Sequence, residues 1–148
     1  MSETGGGELG PSAPVGPGSN EIARLSAGLA IAAVDAVLSG EVDNTYSLSR
    51  PPGHHCMADS AMGFCFLANI VIAIEAAKAH RGLGNVAVID WDVQTATVRN
   101  QSLRHQDSCF PVGYSGEADR ARSAEFRANI NIPLPPDCGH EAYLYALE

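Results

Sequence analysis

Two histidines stand side by side at the end of the segment Arg50-Pro51-Pro52-Gly53-His54-His55. The two prolines fix their own φ angles and stiffen the loop that carries the pair. Because imidazole titrates near neutral pH, one histidine of such a pair can accept a proton from an attacking water while the other stays charged or orients it. The segment is equally consistent with a surface loop that carries two solvated histidines.

Two carboxylates form a second candidate site, in Asp90-Trp91-Asp92. They follow the apolar run Val86-Ala87-Val88-Ile89, which is typical of a central strand in a parallel sheet. Open α/β sheets place ligand sites at the carboxyl ends of strands, and side chains two residues apart point the same way from an extended chain. The carboxylates could bind a metal, or they could cap the strand and accept backbone hydrogen bonds.

The elements around these segments alternate between strands and helices, which predicts an α/β layer with right-handed crossovers. The first helix begins at a cap on Ser19 or Asn20 and ends before Gly40. Its apolar residues recur at helical spacing, at Ile22, Leu25, Leu29, Ala32, Ala33 and Ala36. The other predicted elements are a strand over 45–49, a largely buried helix over 64–79, strands over 86–89 and 129–134, and a helix over 139–148.

Length and composition limit what the protein can be. Its 148 residues are enough for one domain with a core, and residues 1–19 are rich in Gly, Pro and Ser, which predicts a flexible lead-in. A formal net charge of -8 opposes binding to nucleic acid. The absence of a signal-peptide pattern or a long apolar run favours an intracellular, cytoplasmic protein with no membrane partner, and a nuclear location is open if the source is eukaryotic.

The two candidate sites together resemble a known family. Residues 50–55, the segment Gly63-Phe64-Cys65 and residues 86–93 are similar to the central signature of zinc-dependent histone deacetylases and acetylpolyamine amidohydrolases, in its class II and bacterial version. The similarity resumes at residues 105–107, 109–111 and 129–148. It implies an arginase/deacetylase-like α/β fold, a parallel sheet with flanking helices. Residues 20–148 would be an incomplete, partial histone deacetylase-like domain.

The resemblance also implies roles for residues of the two sites. His54 and His55 match the paired catalytic histidines, with His55 as the general base. Asp92 matches a zinc-binding carboxylate. Asp90 matches a catalytic-site aspartate that orients the first histidine and helps to hold a structural monovalent cation.

Three further residues match the family's substrate channel. Phe64 and Phe110 correspond to its aromatic walls, and Gly63 lies beside it. The implied function is a zinc-dependent amide hydrolase that releases acetate from acetyl-lysine, in a histone or another protein, or from a small acetylated amine such as a polyamine. The sequence does not indicate the oligomeric state.

The sequence departs from the family pattern directly after the second carboxylate. The family has a zinc-binding histidine where this chain has Gln94, and an amide is a poor zinc ligand. Synonymous codons for residues 95–100, read one base earlier, encode the family's Gly-Asn-Gly-Thr-Gln, so a frameshift and a real divergence both stay open. A third zinc ligand and a catalytic tyrosine are expected beyond Glu148. A catalytically inactive fragment or pseudoenzyme is therefore the alternative, and a non-catalytic metal site is a third possibility.

Overall fold

The chain divides into two units, Met1–Gly84 and Asn85–Glu148, in a computed structural model that describes residues 5–57, 59–90, 92, 109–113, 132–134 and 138–148. The first unit contains β1 (Gly7–Glu8), β2 (Pro14–Val15), α1 (Ser19–Leu38) and α2 (Asn69–Arg81). The second contains β3 (Val88–Asp90), β4 (Cys109–Gly113), β5 (Ile132–Pro133) and α3 (His140–Leu147). None of the described helices combines the length and the apolar character that a membrane span needs.

Both ends of α1 are set by glycines. The helix begins at Ser19, but its N-cap is Gly18 with a φ of 79°, so the prediction of a side-chain cap from Ser19 or Asn20 is wrong. The Ser19 hydroxyl instead accepts a hydrogen bond from the backbone N–H of Gly16 at 2.9 Å. At the other end Gly40 has a φ of 73° and donates to the carbonyl of Val37, as the sequence predicts for a glycine that terminates a helix.

The buried face of α1 differs from the predicted one. Ile22, Leu25 and Leu29 are 55%, 61% and 52% exposed, whereas Ala23, Ser26 and Ala27 are buried. Helix α1 packs against α2, whose buried residues include Ala73 and Ala77. Small side chains on both helices allow a close approach, so the helices pack through the alanines and leave the larger residues of α1 outside.

Helix α2 begins five residues later than the sequence predicts. Residues 64–68 form turns, and the helix starts at Asn69 and ends at Arg81, where Gly82 adopts a φ of 64°. The cause lies just upstream, since Gly63 and Phe64 both have left-handed backbone angles that no helix can include. At the far end, Arg81 Nε lies 3.0 Å from Asp35 Oδ1 of α1, an exposed ion pair that contributes little to stability.

The described strands of the second unit form a parallel sheet in the order β3-β4-β5, which confirms the predicted parallel pairing. Ile89 lies opposite Phe110, and Asp90 lies opposite Pro111. The observed strand runs from Val88 to Asp90 rather than over 86–89. The predicted strand over 129–134 is described only from residue 132, and the predicted C-terminal helix is observed as α3.

The predicted strand over residues 45–49 is not formed. These residues pair with no other strand in the described part of the chain, and Tyr46 and Leu48 are exposed. The segment is attached to α1 through the Thr45 hydroxyl, which donates to the carbonyl of Ala33 at 3.1 Å. A β-branched and aromatic composition favours a strand, but without a neighbouring strand there is no ladder to form.

The N-terminal segment has specific contacts with the loop before α2. Strands β1 and β2 pair in an antiparallel hairpin, and Ala13 is fully buried. The carbonyls of Pro11 and Ser12 accept hydrogen bonds from the backbone N–H groups of Gly63 and Phe64, at 3.0 and 2.8 Å. The flexibility expected of residues 1–19 stays a prediction, but residues 10–13 of this segment are joined to the rest of the first unit.

Substituting Gly10 tests this attachment. A Cβ at Gly10 would collide with the carbonyl oxygen of Ala61, whereas a Cβ at Gly16 meets nothing within 4 Å. We therefore expect Gly10→Ala to lower the free energy of unfolding by about 1–3 kcal/mol through overpacking. Gly16→Ala should leave it nearly unchanged. Urea denaturation measures both values, and equal values would show that the hairpin does not pack against Ala61.

Candidate active site

The rings of the two histidines on the stiff loop lie close together in a tilted arrangement. The ring centroids of His54 and His55 are 4.1 Å apart, and the ring planes are tilted by 37°. Both residues are half-buried, so each is partly accessible to solvent. The pair is therefore not two fully solvated histidines on a surface loop. Its geometry can bring two proton-exchanging groups to one small molecule.

A tight turn holds His55 from one side. Met62 and Cys65 exchange two backbone hydrogen bonds, at 3.1 and 2.9 Å, around Gly63 and Phe64. The central residues have φ angles of 54° and 63°, as a type I′ turn requires. A Cβ on Gly63 would lie 2.6 Å from Cδ2 of His55, so the glycine lets the turn approach the imidazole closely.

Phe64 occupies the strained position of this turn. A left-handed φ costs a bulky residue of order 1–3 kcal/mol, and such strain is concentrated at functional sites. Its side chain is 56% exposed rather than packed in the core. The bond from the Phe64 N–H to the carbonyl of Ser12 helps to keep it there. Phe64 therefore presents an exposed aromatic side chain next in sequence to the glycine that contacts His55, and such a ring can contact an apolar part of a ligand.

Cys65 fastens the histidine loop to the same turn. Its Sγ accepts a hydrogen bond from the backbone N–H of His55 at 3.4 Å, and the residue is fully buried. Burial raises the pKa of the Cys65 thiol, although hydrogen bonds from the N–H groups of residues 54–56 partly offset the rise. Burial also raises the pKa of Cys56, with a further contribution from Cys65. Both thiols therefore stay protonated at neutral pH and act as neutral packing groups.

The other end of the histidine loop is held by two helices. The Ser26 hydroxyl of α1 donates to the carbonyl of Pro51 at 2.8 Å. The side-chain amide of Asn69, the first residue of α2, donates to the same carbonyl at 3.1 Å and to Ser26 Oγ at 3.0 Å. A Cβ on Gly53 would lie 2.5 Å from the backbone nitrogen of Asn69, so the loop is also in close contact with the start of α2.

The carboxylates lie in the second unit, at the carboxyl end of β3. Asp90 is the last residue of the strand, and its Oδ1 accepts a hydrogen bond from the backbone N–H of Asp92 at 3.1 Å. Asp90 is half-buried and Asp92 is exposed. The Asp90 carboxylate thus does what a strand-capping group would do. Phe110 is in β4 opposite Ile89; its side chain, like all of Gln94, lies outside the described residues.

Several residues that shape the site were not among the predicted site residues. Ser26, Asn69 and Cys65 hold the histidine loop, and the Pro11 and Ser12 carbonyls hold the turn at Phe64. Asn69 had a visible signal, because it is a single amide in an otherwise apolar run. The N-terminal contribution had none, since backbone carbonyls carry no side-chain pattern.

A paired-histidine loop, a parallel sheet and carboxylates at the end of a sheet strand place the chain in the arginase/deacetylase class of α/β proteins. The histone deacetylase domain matches residues 2–148, and the chain belongs to that family. It is 58% identical over 158 aligned positions to a histone deacetylase-like amidohydrolase of Pseudomonas aeruginosa. That alignment covers 100% of this chain and 42% of the Pseudomonas protein.

Solved structures agree with this assignment. An acetylpolyamine aminohydrolase from Burkholderia pseudomallei matches with a TM-score of 0.82 and 30% identity, over 92% of this chain and 42% of that one. The HD domain of HDA15 matches with a TM-score of 0.87 and 26% identity, over 99% of this chain and 45% of that one. The predicted arginase/deacetylase-like fold is confirmed, and the chain spans less than half the length of each of these three relatives.

Replacing Gly63 tests the contact between the turn and His55. Gly82 is a matched control, because its φ of 64° is similar but a Cβ there meets nothing within 4 Å. Gly82→Ala should lower the free energy of unfolding by about 1–2 kcal/mol from the left-handed backbone alone. Gly63→Ala should cost more and should shift the NMR signals of the His55 ring. Equal losses with an unmoved His55 signal would contradict the contact.

The two buried thiols predict a pH dependence of stability. The folded state holds the thiol protons of Cys56 and Cys65 more tightly than the unfolded state, because the pKa of each is raised. The stabilisation is therefore complete below the unfolded thiol pKa of about 8.5 and is lost as the pH rises above it. The free energy of unfolding should therefore fall between about pH 8 and about pH 10, which is roughly one and a half units above that pKa. The double variant Cys56→Ala, Cys65→Ala should show a smaller fall over the same range. Urea denaturation at each pH measures the free energy of unfolding. If this free energy fell equally steeply with pH in the parent and in the variant, the two thiols would not be the cause.

Proposed function

We propose that the protein hydrolyses the amide bond of acetylated amines, with an acetyl-lysine side chain or an acetylated polyamine as substrate, and releases acetate and the free amine. The observation that carries the proposal is the stacked pair His54 and His55, held between the turn at Gly63 and the Cys65 thiol. Membership of the family supports it, as does the similarity to the acetylpolyamine aminohydrolase from Burkholderia pseudomallei. An intracellular location stays a prediction.

The chemistry assigned to the pair is proton transfer. In the proposed reaction His55 accepts a proton as water attacks the amide carbonyl, and a proton is then delivered to the leaving nitrogen as the C–N bond breaks. His54, whose ring centroid lies 4.1 Å from that of His55, either orients the attacking water or stays charged beside its neighbour. The exposed ring of Phe64 would contact the apolar chain between the acetylated nitrogen and the rest of the substrate.

The described residues do not fit the zinc ion that the family implies. No group of three or more His, Cys, Asp or Glu side chains capable of holding a metal occurs in the part of the chain that the structure describes. Asp92 offers one exposed carboxylate, and the amide of Gln94 stands where the resemblance predicts an imidazole. No step of the proposed reaction is assigned to a metal ion. Binding of a monovalent cation at Asp90 is likewise a proposal that rests on the resemblance.

Gln94 favours a second candidate function, a catalytically inactive member of the family. An amide in place of an imidazole weakens metal affinity, and the hydrogen bonds described for the histidine loop come from residues of α1, α2 and the turn at Gly63. Such a chain would keep a family-like surface for an acetylated ligand but would not turn it over.

Acetate release from an acetyl-lysine peptide and from an acetylated polyamine, together with the zinc content of the purified protein, separates the candidates. If the protein is an enzyme, His55→Ala should lower the rate by about 100-fold or more, as expected for loss of a general base. Gln94→His should raise both zinc content and rate. No acetate from either the unmutated protein or Gln94→His would refute the hydrolase proposal. Activity that appears only in Gln94→His would identify this position as the cause of inactivity.

A further inference from the structure

The carbonyl of Pro51 is the point at which both helices of the first unit meet the histidine loop. It accepts hydrogen bonds from Ser26 Oγ at 2.8 Å and from Asn69 Nδ2 at 3.1 Å, and the two side chains are themselves 3.0 Å apart. The three groups form a closed triangle of hydrogen bonds. We call it the Pro51 clamp.

The two side chains of the clamp are buried, Pro51 is half-buried, and Ser26 Oγ also lies 3.1 Å from Ser49 Oγ. Ser26 is 1% exposed and Asn69 is 8% exposed. The Asn69 side-chain amide is a donor, and its nitrogen is within hydrogen-bonding distance of both Ser26 Oγ and the Pro51 carbonyl oxygen. A buried network of this kind favours one arrangement of the surrounding chain, because moving the Asn69 amide away would leave a buried polar group without its partners.

The short chain between the clamp and the imidazoles has little freedom. Pro51 and Pro52 have φ angles fixed by their rings. Gly53 then lies so close to α2 that an added Cβ would be 2.5 Å from the backbone nitrogen of Asn69 and 2.8 Å from the carbonyl oxygen of Leu67. His54 follows directly. A shift of the Pro51 carbonyl must therefore be transmitted to the histidine pair.

We propose that Ser26 and Asn69 are positioning residues for His54 and His55, acting through the carbonyl of Pro51. Their part in catalysis rests on the proposed function, whereas their effect on the two rings does not. The chemistry of the clamp makes a selective change possible. Asn69→Asp has the same shape but replaces the amide donors by a carboxylate, which would face the Pro51 carbonyl oxygen as a second acceptor.

The test compares the histidine side chains in the full chain by long-range proton–nitrogen NMR, with His54 and His55 assigned from single glutamine variants. Asn69→Asp should displace the signals of both rings. Ser26→Ala removes one donor and no larger group, so it provides a milder variant if Asn69→Asp does not fold. Ile74→Val is the matched control, because it removes one buried methylene group from α2 and changes no residue of the clamp.

Ring signals that move in Asn69→Asp or Ser26→Ala, but not in Ile74→Val, are the expected result. Signals that stay in place in the polar variants, or that move as far in Ile74→Val, would overturn the positioning role. Where the unmutated protein releases acetate, kcat of the polar variants should fall by up to about 100-fold with KM little changed, because a small misplacement of a catalytic group acts on the transition state. Absence of acetate from the unmutated protein counts against the proposed function, and the ring signals still decide the positioning role.

Discussion

One backbone carbonyl, that of Pro51, joins α1, α2 and the histidine loop of the first unit. The loop cannot use regular secondary structure to hold itself, because Pro51 and Pro52 have no N–H groups to donate. Its carbonyl is held instead by two side chains that come from different helices. The helices can bring these side chains together because they approach through small buried residues such as Ala23 and Ala73.

The other side of the histidine pair depends on backbone geometry. Gly63 and Phe64 adopt left-handed angles in a turn whose N–H groups bond to the carbonyls of Pro11 and Ser12. The turn places a glycine against the His55 ring and an exposed aromatic residue next to it. The N-terminal hairpin, the turn and the histidine loop therefore form one connected arrangement, in which a strained position is maintained by contacts from a distant part of the sequence.

The hydrogen bonds described for the histidine loop and the candidate metal-binding residues belong to different units of the chain. The hydrogen bonds that hold Pro51 and the backbone of His55 involve residues of the first unit, whereas Asp92 and Gln94 belong to the second. The chain has the histidine loop of the family, but its described residues do not supply a complete set of zinc ligands. Both proposed functions, the hydrolase and the inactive relative, are consistent with this combination.

The sequence alone determined the features that depend on local chemistry. The glycine that ends α1, the apolar run of β3 with Asp90 at its carboxyl end, and the side-by-side histidines could all be read from residue types and spacing. The family followed from the order of those motifs. Tertiary structure alone decided that α1 buries Ala23, Ser26 and Ala27 rather than its leucines, and that residues 45–49 form no strand. It also decided that Ser26 and Asn69 meet at Pro51. These outcomes depend on which surfaces approach each other over long sequence separations, and a periodic pattern shows that a helix has an apolar face without showing which partner will cover it.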